Sequence, residues 1–338
     1  MDGRLMFQYL LKRLLLIFPT LFGIILITFL VIRLAPGDPA QMRLQGGDSM
    51  LADRSAVSIV EETRKLYGLD KPLPTQFFLW VKRVATFDFG NSYKDQQPVL
   101  QKVAAALPIT LTLNFLTLII VYLVSIPLGV VLATKPVGLF DRISSLFLYV
   151  LYSLPSFWIA MILILFLASG DYLNWFPITG FISEGAEQLN FFQKVGNIAW
   201  HLVLPVICMT YGSFAFLARF SRATMLEVIS QDFIRTARAK GLNEWQVVMK
   251  HGFRNALIPQ LTLLGTLLPA LLGGSVIIEQ IFSIPGMGRL GFEAVLSRDY
   301  PVIMAIATID ALLTLVSLLI SDLLYMAVDP RITFETKL

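Results

Sequence analysis

The chain has 338 residues, of which 56% are hydrophobic and only 15% charged, and its formal net charge is +4. With a mean hydropathy of +0.71 it carries far more apolar surface than a water-soluble domain can bury, so the composition excludes an ordinary soluble fold and selects a membrane protein. The small positive charge follows loop topology, set out below, and gives no ground for a nucleic-acid surface.

From the amino terminus, residues 14–32 run without a charge between Arg13 and Arg33. That is long enough to cross a hydrocarbon core of about 30 Å at about 1.5 Å per residue. A secretory leader has a shorter apolar region and a small-residue cleavage site, whereas this run continues into Arg33-Leu34-Ala35-Pro36-Gly37, so an uncleaved first span is expected. In the long loop that follows, residues 61–70 read as a short helix ended by Gly68. Residues 74–87 read as an amphipathic helix, with Phe77, Phe78, Trp80, Val81 and Val84 on helical spacing and Lys82 and Arg83 at the edge. This stretch suits either the outer membrane interface or the half-buried helix of a small extracytoplasmic cap.

Further charge-free runs cover residues 107–134, 144–170, 200–218 and 257–278, and a last run, 301–328, is interrupted only by Asp310 and Asp322. The expectation is an all-α polytopic membrane protein of about six transmembrane helices. Pro127, Pro155, Pro205 and Pro269 fall inside these runs, where bilayer helices tolerate proline and a packing kink is the plain reading. Lysines and arginines are lopsided across the loops. With the amino terminus inside, fourteen lie on inside segments, seven of them between Arg219 and Arg254, against Lys194, Arg289 and Arg298 in the short outside loops. Both termini are therefore expected in the cytoplasm.

The inside loop 219–254 reads as two short helices broken at Gly241, the first capped by Ser230 or Asp232 and the second opening on a capping box of Asn243 and Gln246. Taken alone, its charges fit positive-inside topology and solvated faces. Asp310 lies deep in the last run, where an ionised carboxylate is costly. It should face a pathway or a partner, or make an interhelical hydrogen bond, for instance with Thr308.

Catalytic chemistry finds no support. The lone Cys208 permits no disulfide or thiolate cluster, His201 and His251 lie far apart without a zinc motif, and no Gly-x4-Gly-Lys-Ser/Thr loop exists to cradle a nucleotide's phosphates. No metal or cofactor is expected, and nucleotide hydrolysis would have to occur in another subunit.

The stretch Asp232-Phe233-Ile234-Arg235-Thr236-Ala237-Arg238-Ala239-Lys240-Gly241, with His251-Gly252-Phe253-Arg254-Asn255-Ala256-Leu257-Ile258-Pro259 downstream, resembles the EAA-type coupling loop of ABC importer permeases. The variant is that of the oligopeptide, dipeptide and nickel permeases. Arg235 and Thr236 stand where the general pattern has Glu and Ala, and its later Ile-x-Leu-Pro falls on His251, Phe253 and Arg254. The likeness extends along the chain through Arg33-Leu34-Ala35-Pro36-Gly37-Asp38-Pro39, Phe87-Asp88-Phe89-Gly90-Asn91-Ser92, Ile284-Pro285-Gly286-Met287-Gly288 and Asp329-Pro330-Arg331-Ile332. The stretches Tyr122-Leu123-Val124-Ser125-Ile126-Pro127-Leu128-Gly129 and Asp329-Pro330-Arg331-Ile332-Thr333-Phe334-Glu335 look most like the Yej-type permeases for oligopeptides and microcins.

The resemblance implies a type I ABC importer permease fold in the bacterial inner membrane, moving oligopeptides or dipeptides inward. It also implies a second homologous permease, one fused or two separate ABC ATPase subunits, and an extracytoplasmic peptide-binding protein. The ATPase would be met by Arg235, Thr236, Ala237, Arg238, Ala239, Lys240 and Gly241, with Ala237 and Ala239 allowing close backbone approach, and Asp310 would belong to the translocation pathway. On this view residues 1–33 are a tail and first span, 34–106 an extracytoplasmic loop, 107–328 the permease domain with coupling loop 219–256, and 329–338 a cytoplasmic tail. A nickel importer of the same branch is the nearest alternative. An autonomous secondary transporter is more distant, since no internal repeat is evident.

Overall fold

The computed structural model describes residues 3–34, 61–62, 64–65, 68–170, 172–267 and 274–328. The described chain is helical: α1 Gly3–Leu34, α2 Leu73–Ala85, α3 Val99–Thr134, α4 Leu139–Ser153, α5 Ser156–Leu167, α6 Phe191–Ile229 and α7 Asp232–Ala239. A single turn, Glu244–Gln246, and a π-helical segment, Val247–Phe253, then lead into α8 Arg254–Leu267, followed by α9 Val276–Ile281, α10 Met287–Leu296 and α11 Tyr300–Val328. Among the described residues four stretches are long and apolar enough to cross a membrane: Leu11–Leu34, Val99–Thr134, Phe191–Ile229 and Tyr300–Leu323. The pair α4 and α5 makes a fifth if counted as one span. The run expected at 257–278 is helical on both flanks, but its residues 268–273 lie outside the described residues, as do 329–338 and most of the 35–67 stretch.

One expected span has a different shape. The charge-free run 144–170 predicts one continuous span, yet α4 and α5 meet at 97°. Proline disfavours the helical region for the residue before it, and Leu154, ahead of Pro155, takes φ −81° and ψ 133°. The Tyr211 hydroxyl donates to the Leu154 carbonyl at 2.5 Å, so the break leaves that acceptor satisfied inside an apolar region.

The described residues fall into two compact units, one within Met1–Pro108 and Gly286–Leu319, the other within Ile109–Pro285 and Ile320–Leu338. In the first, Phe77 and Trp80 of α2 are buried in a core with Phe29, Phe89 and Tyr300, and the Phe29 and Phe77 rings meet edge-on at 5.3 Å. The apolar face expected for this helix is thus packed, as in a cap, while Phe78 stands 69% exposed. Gly68 ends the preceding turn as expected: at φ +64° its N–H donates to Lys65 and that of Leu69 to Arg64, the paired bonds of a Schellman cap. Asp299 fastens the loop before α3, accepting from the Ser92 hydroxyl and from the Tyr93 N–H at 2.9 Å.

In the second unit α6 is the common partner of α4, α5, α8 and α9. Its approach to α3 depends on Gly129, where a Cβ would stand 2.5 Å from the Cβ of Ser221 and 2.6 Å from the carbonyl of Ala218. Only glycine leaves room for the two helices at this separation.

Candidate functional site: the helix-turn after α6

Helix α7 follows α6 after only Ser230 and Gln231. Neither expected cap forms: the cap position is Gln231, which makes no side-chain bond, and the Ser230 hydroxyl turns back to Glu227. Asp232 lies in the first turn, where the helix dipole favours a carboxylate. Ile234 and Ala237 are buried with Val247 in a small core, with Leu242 packed against it. This seat fixes α7 on the π-helical segment, which is itself close to α6: a Cβ on Gly252 would lie 2.7 Å from Met225 Cε.

The opposite face of α7 is exposed and carries Arg235, Thr236, Arg238, Ala239 and Lys240. Arg235 pairs with Asp232 at 3.2 Å. Arg238 forks onto Glu244 at 2.8 and 3.3 Å, bridging α7 to the turn beyond the glycine. Gly241 makes the break as expected, at φ +79°, its N–H donating to Arg238. Asn243 accepts from the Gln246 N–H at 2.8 Å, which is one arm of the expected capping box, and the second helix is one turn long before the π-helical segment takes over. The two alanines, which the sequence placed in one role, face opposite ways: Ala239 outward and Ala237 into the loop's own core.

Several residues were missed. Trp245 is 72% exposed beside the Arg238–Glu244 pair; a lone tryptophan in a charged segment was the available signal. Behind the loop, Gln260 is fully buried, its amide donating to the Ser221 hydroxyl at 3.2 Å and the Ala256 carbonyl at 3.1 Å. The Ser221 hydroxyl in turn reaches the Ile126 carbonyl on α3 at 3.3 Å. Arg222 on α6 holds Asp141 on α4 through two bonds, 2.6 and 2.7 Å.

Asp310 lies in the other compact unit. Its Oδ1 is buried without a hydrogen-bond partner among the described residues. The bond to Thr308 does not form, because that hydroxyl donates to the Met304 carbonyl at 2.7 Å. Among the described residues no three His, Cys, Asp or Glu side chains cluster so as to hold a metal ion.

Comparison with known proteins agrees along the whole chain. Residues 125–334 match the family described as binding-protein-dependent transport system inner membrane component, and residues 6–114 match its N-terminal counterpart. The oligopeptide transport system permease protein AppB of Bacillus subtilis (strain 168) is 39% identical over 97% of this chain and 100% of its own length. The peptidoglycan transport system permease protein YejB of Agrobacterium fabrum is 35% identical over 97% of this chain and 99% of its own. A chain of the MetNI methionine ABC transporter, in inward-facing conformations, shares the fold with a TM-score of 0.53 at 20% identity, covering 69% of this chain and 99% of that one. A multi-span chain that matches these family models over both its parts belongs to the binding-protein-dependent transport system inner membrane components, the permease subunits of ABC transporters.

Proposed function

We propose that this permease carries oligopeptides or dipeptides into the cytoplasm, driven by ABC ATPase subunits that dock on residues 235–241. Both termini lie in the cytoplasm, a second homologous permease completes the pathway, and an extracytoplasmic peptide-binding protein delivers the cargo. The observation that carries the docking assignment is the mounting of α7. A short cationic helix, exposed on one face and ended by a left-handed glycine, is seated through Ile234, Ala237 and Val247 on the segment that joins α6 to α8. A push on its outward face is thereby passed to membrane-spanning helices, which suits a two-state element biased by a nucleotide-dependent partner.

The relatives' names support a peptide-bearing cargo, oligopeptide for one and peptidoglycan for the other. A nickel cargo draws no support from them. The division into a first span at 1–33, a loop at 34–106, a permease domain at 107–328 and a tail at 329–338 is part of the same proposal, as is a pathway role for Asp310.

The test is co-purification from native membranes in a mild detergent with a tag on the carboxyl terminus. A second permease and an ATPase should accompany the chain. Gly241→Pro should release the ATPase while the permease pair stays together, since proline's fixed φ near −65° cannot reproduce the observed +79°. Recovery of the chain alone, or an ATPase that stays bound to the variant, would overturn the docking assignment.

A further inference from the structure

A cavity of about 540 Å³ opens within the first compact unit, where α1 ends and α11 begins. Four cations line it, Arg33, Lys65, Lys71 and Arg83, against the single carboxylate Asp88, and Asp88 already accepts from the Gly90 N–H at 3.0 Å. The remaining wall includes Leu79, Trp80, Phe89 and Met304, so the space is cationic on one side and apolar on the other. A cavity of this size suits a small ligand or a headgroup.

Two polar atoms of opposite sense point to what the cavity takes. Arg33 Nε and Gln76 Oε1 are both buried without a hydrogen-bond partner among the described residues, and both residues line the cavity. One is a donor attached to a cation and the other an acceptor, and leaving either unmet is costly. A ligand that meets both must present anionic oxygens and a hydrogen-bond donor. Arg33 is held for the purpose, its guanidinium 5.5 Å from the Phe29 ring centre and 5.3 Å from that of Tyr300. Its place is also informative. Arg33 is in the last turn of the first span, and Pro301 and Met304 are in the first turns of the last, so the cavity lies at a membrane boundary. The neighbouring face of α2 turns Phe78 and Leu79 outward, 69% and 43% exposed.

We propose that this cavity binds the headgroup of an anionic phospholipid of the phosphatidylglycerol type. The phosphate sits among Arg33, Lys65, Lys71 and Arg83, a glycerol hydroxyl donates to Gln76 Oε1, and the acyl chains leave past the apolar wall toward the bilayer. Four like charges facing one carboxylate favour a hydroxyl over an ammonium as the donor, which selects phosphatidylglycerol over phosphatidylethanolamine.

The test is quantitative lipid analysis of the full transporter complex purified in a mild detergent. Lys71→Gln and Arg83→Gln each alter an exposed side chain and leave the packed core alone, and Lys82→Gln, beside Arg83 on α2 but outside the cavity, serves as the control. The native complex and the control should retain phosphatidylglycerol, and each cavity variant should lose it by roughly fivefold, with phosphatidylethanolamine unchanged. Equal phosphatidylglycerol in variants and control would overturn the proposal. Protection of Lys71 from amine labelling by inorganic phosphate as complete as that by phosphatidylglycerol vesicles would identify a free-anion site instead. Variants that keep the lipid but lose stimulation of ATP hydrolysis by an extracytoplasmic binding protein would reassign the cavity to protein docking and overturn the lipid assignment.

Discussion

Arg222 on α6 and Asp141 in the first turn of α4 form a two-pronged ion pair between residues 81 positions apart, and Asp141 is only 5% exposed. The carboxylate also accepts from the Val137 N–H at 3.0 Å, so it is fully engaged. Removing one partner of such a pair strands a buried charge, which typically costs about 3–5 kcal/mol. Arg222→Gln is expected to lower the thermal stability of the purified protein by that order, and adding Asp141→Asn should recover most of the loss. A single variant as stable as the native chain would refute the account.

Gly129 sets the separation of α3 and α6. Alanine there places a methyl group in space already held by Ser221 and Ala218, so Gly129→Ala should destabilise by about 1–3 kcal/mol. Gly23 offers the contrast, because a Cβ at that position meets nothing within 4 Å. Gly23→Ala, within α1, should be neutral or stabilise by about 0.5–1 kcal/mol. Thermal unfolding of the two variants side by side distinguishes contact from helix propensity.

The loop before α3 should depend on pH in a direction fixed by Asp95. Burial alone would raise its pKa, but hydrogen bonds from Lys102, Ser92 and the Gln97 N–H outweigh burial and hold the carboxyl below its ordinary 3.8. A depressed folded value means that the stabilisation is fully present above the ordinary pKa and is lost as pH falls through the folded one. Hydrogen-exchange protection of residues 92–97 should therefore hold from neutral pH to about pH 5 and fall only below about pH 4. In Lys102→Gln, which removes the 2.5 Å ion pair, protection should already be reduced at neutral pH and vary less with acid.

Asp310→Asn keeps the shape of the side chain and removes its charge. If the carboxylate meets a cationic group of the cargo or of a partner permease, the lost charge-assisted bond, about 1.5–3 kcal/mol, should lower peptide uptake roughly tenfold or more while the complex still assembles. Uptake of a labelled peptide by cells, measured beside co-purification of the partner permease, decides this. Unchanged uptake would assign Asp310 to packing.

The sequence was most readable where one residue's chemistry fixes the local outcome. The first span, the amphipathic α2, and the glycines that end turns at 68 and 241 follow from hydropathy, period and the need for positive φ. Charge-free windows report only the hydrocarbon-embedded part of a helix, so 200–218 became the 39-residue α6. The sharp break at Pro155 was hidden because apolar composition continues across it, and a proline in such a run is equally compatible with a mild kink. For the candidate site, the outward charges and the glycine were legible, while the inward turn of Ala237 was not, since it depends on Val247 across the turn. The Arg222–Asp141 pair and the Gln260–Ser221 bond join distant segments, and no local pattern announces them.

At about 1.5 Å per residue the 39 residues of α6 extend for about 58 Å, nearly twice a hydrocarbon core of about 30 Å. With two residues between its end and α7, a tilt of about 10° about its far end would sweep the α7 end through about 10 Å. A displacement of α7 is thus geared to a smaller movement of every turn along α6, and the gearing is fixed by the length of one helix.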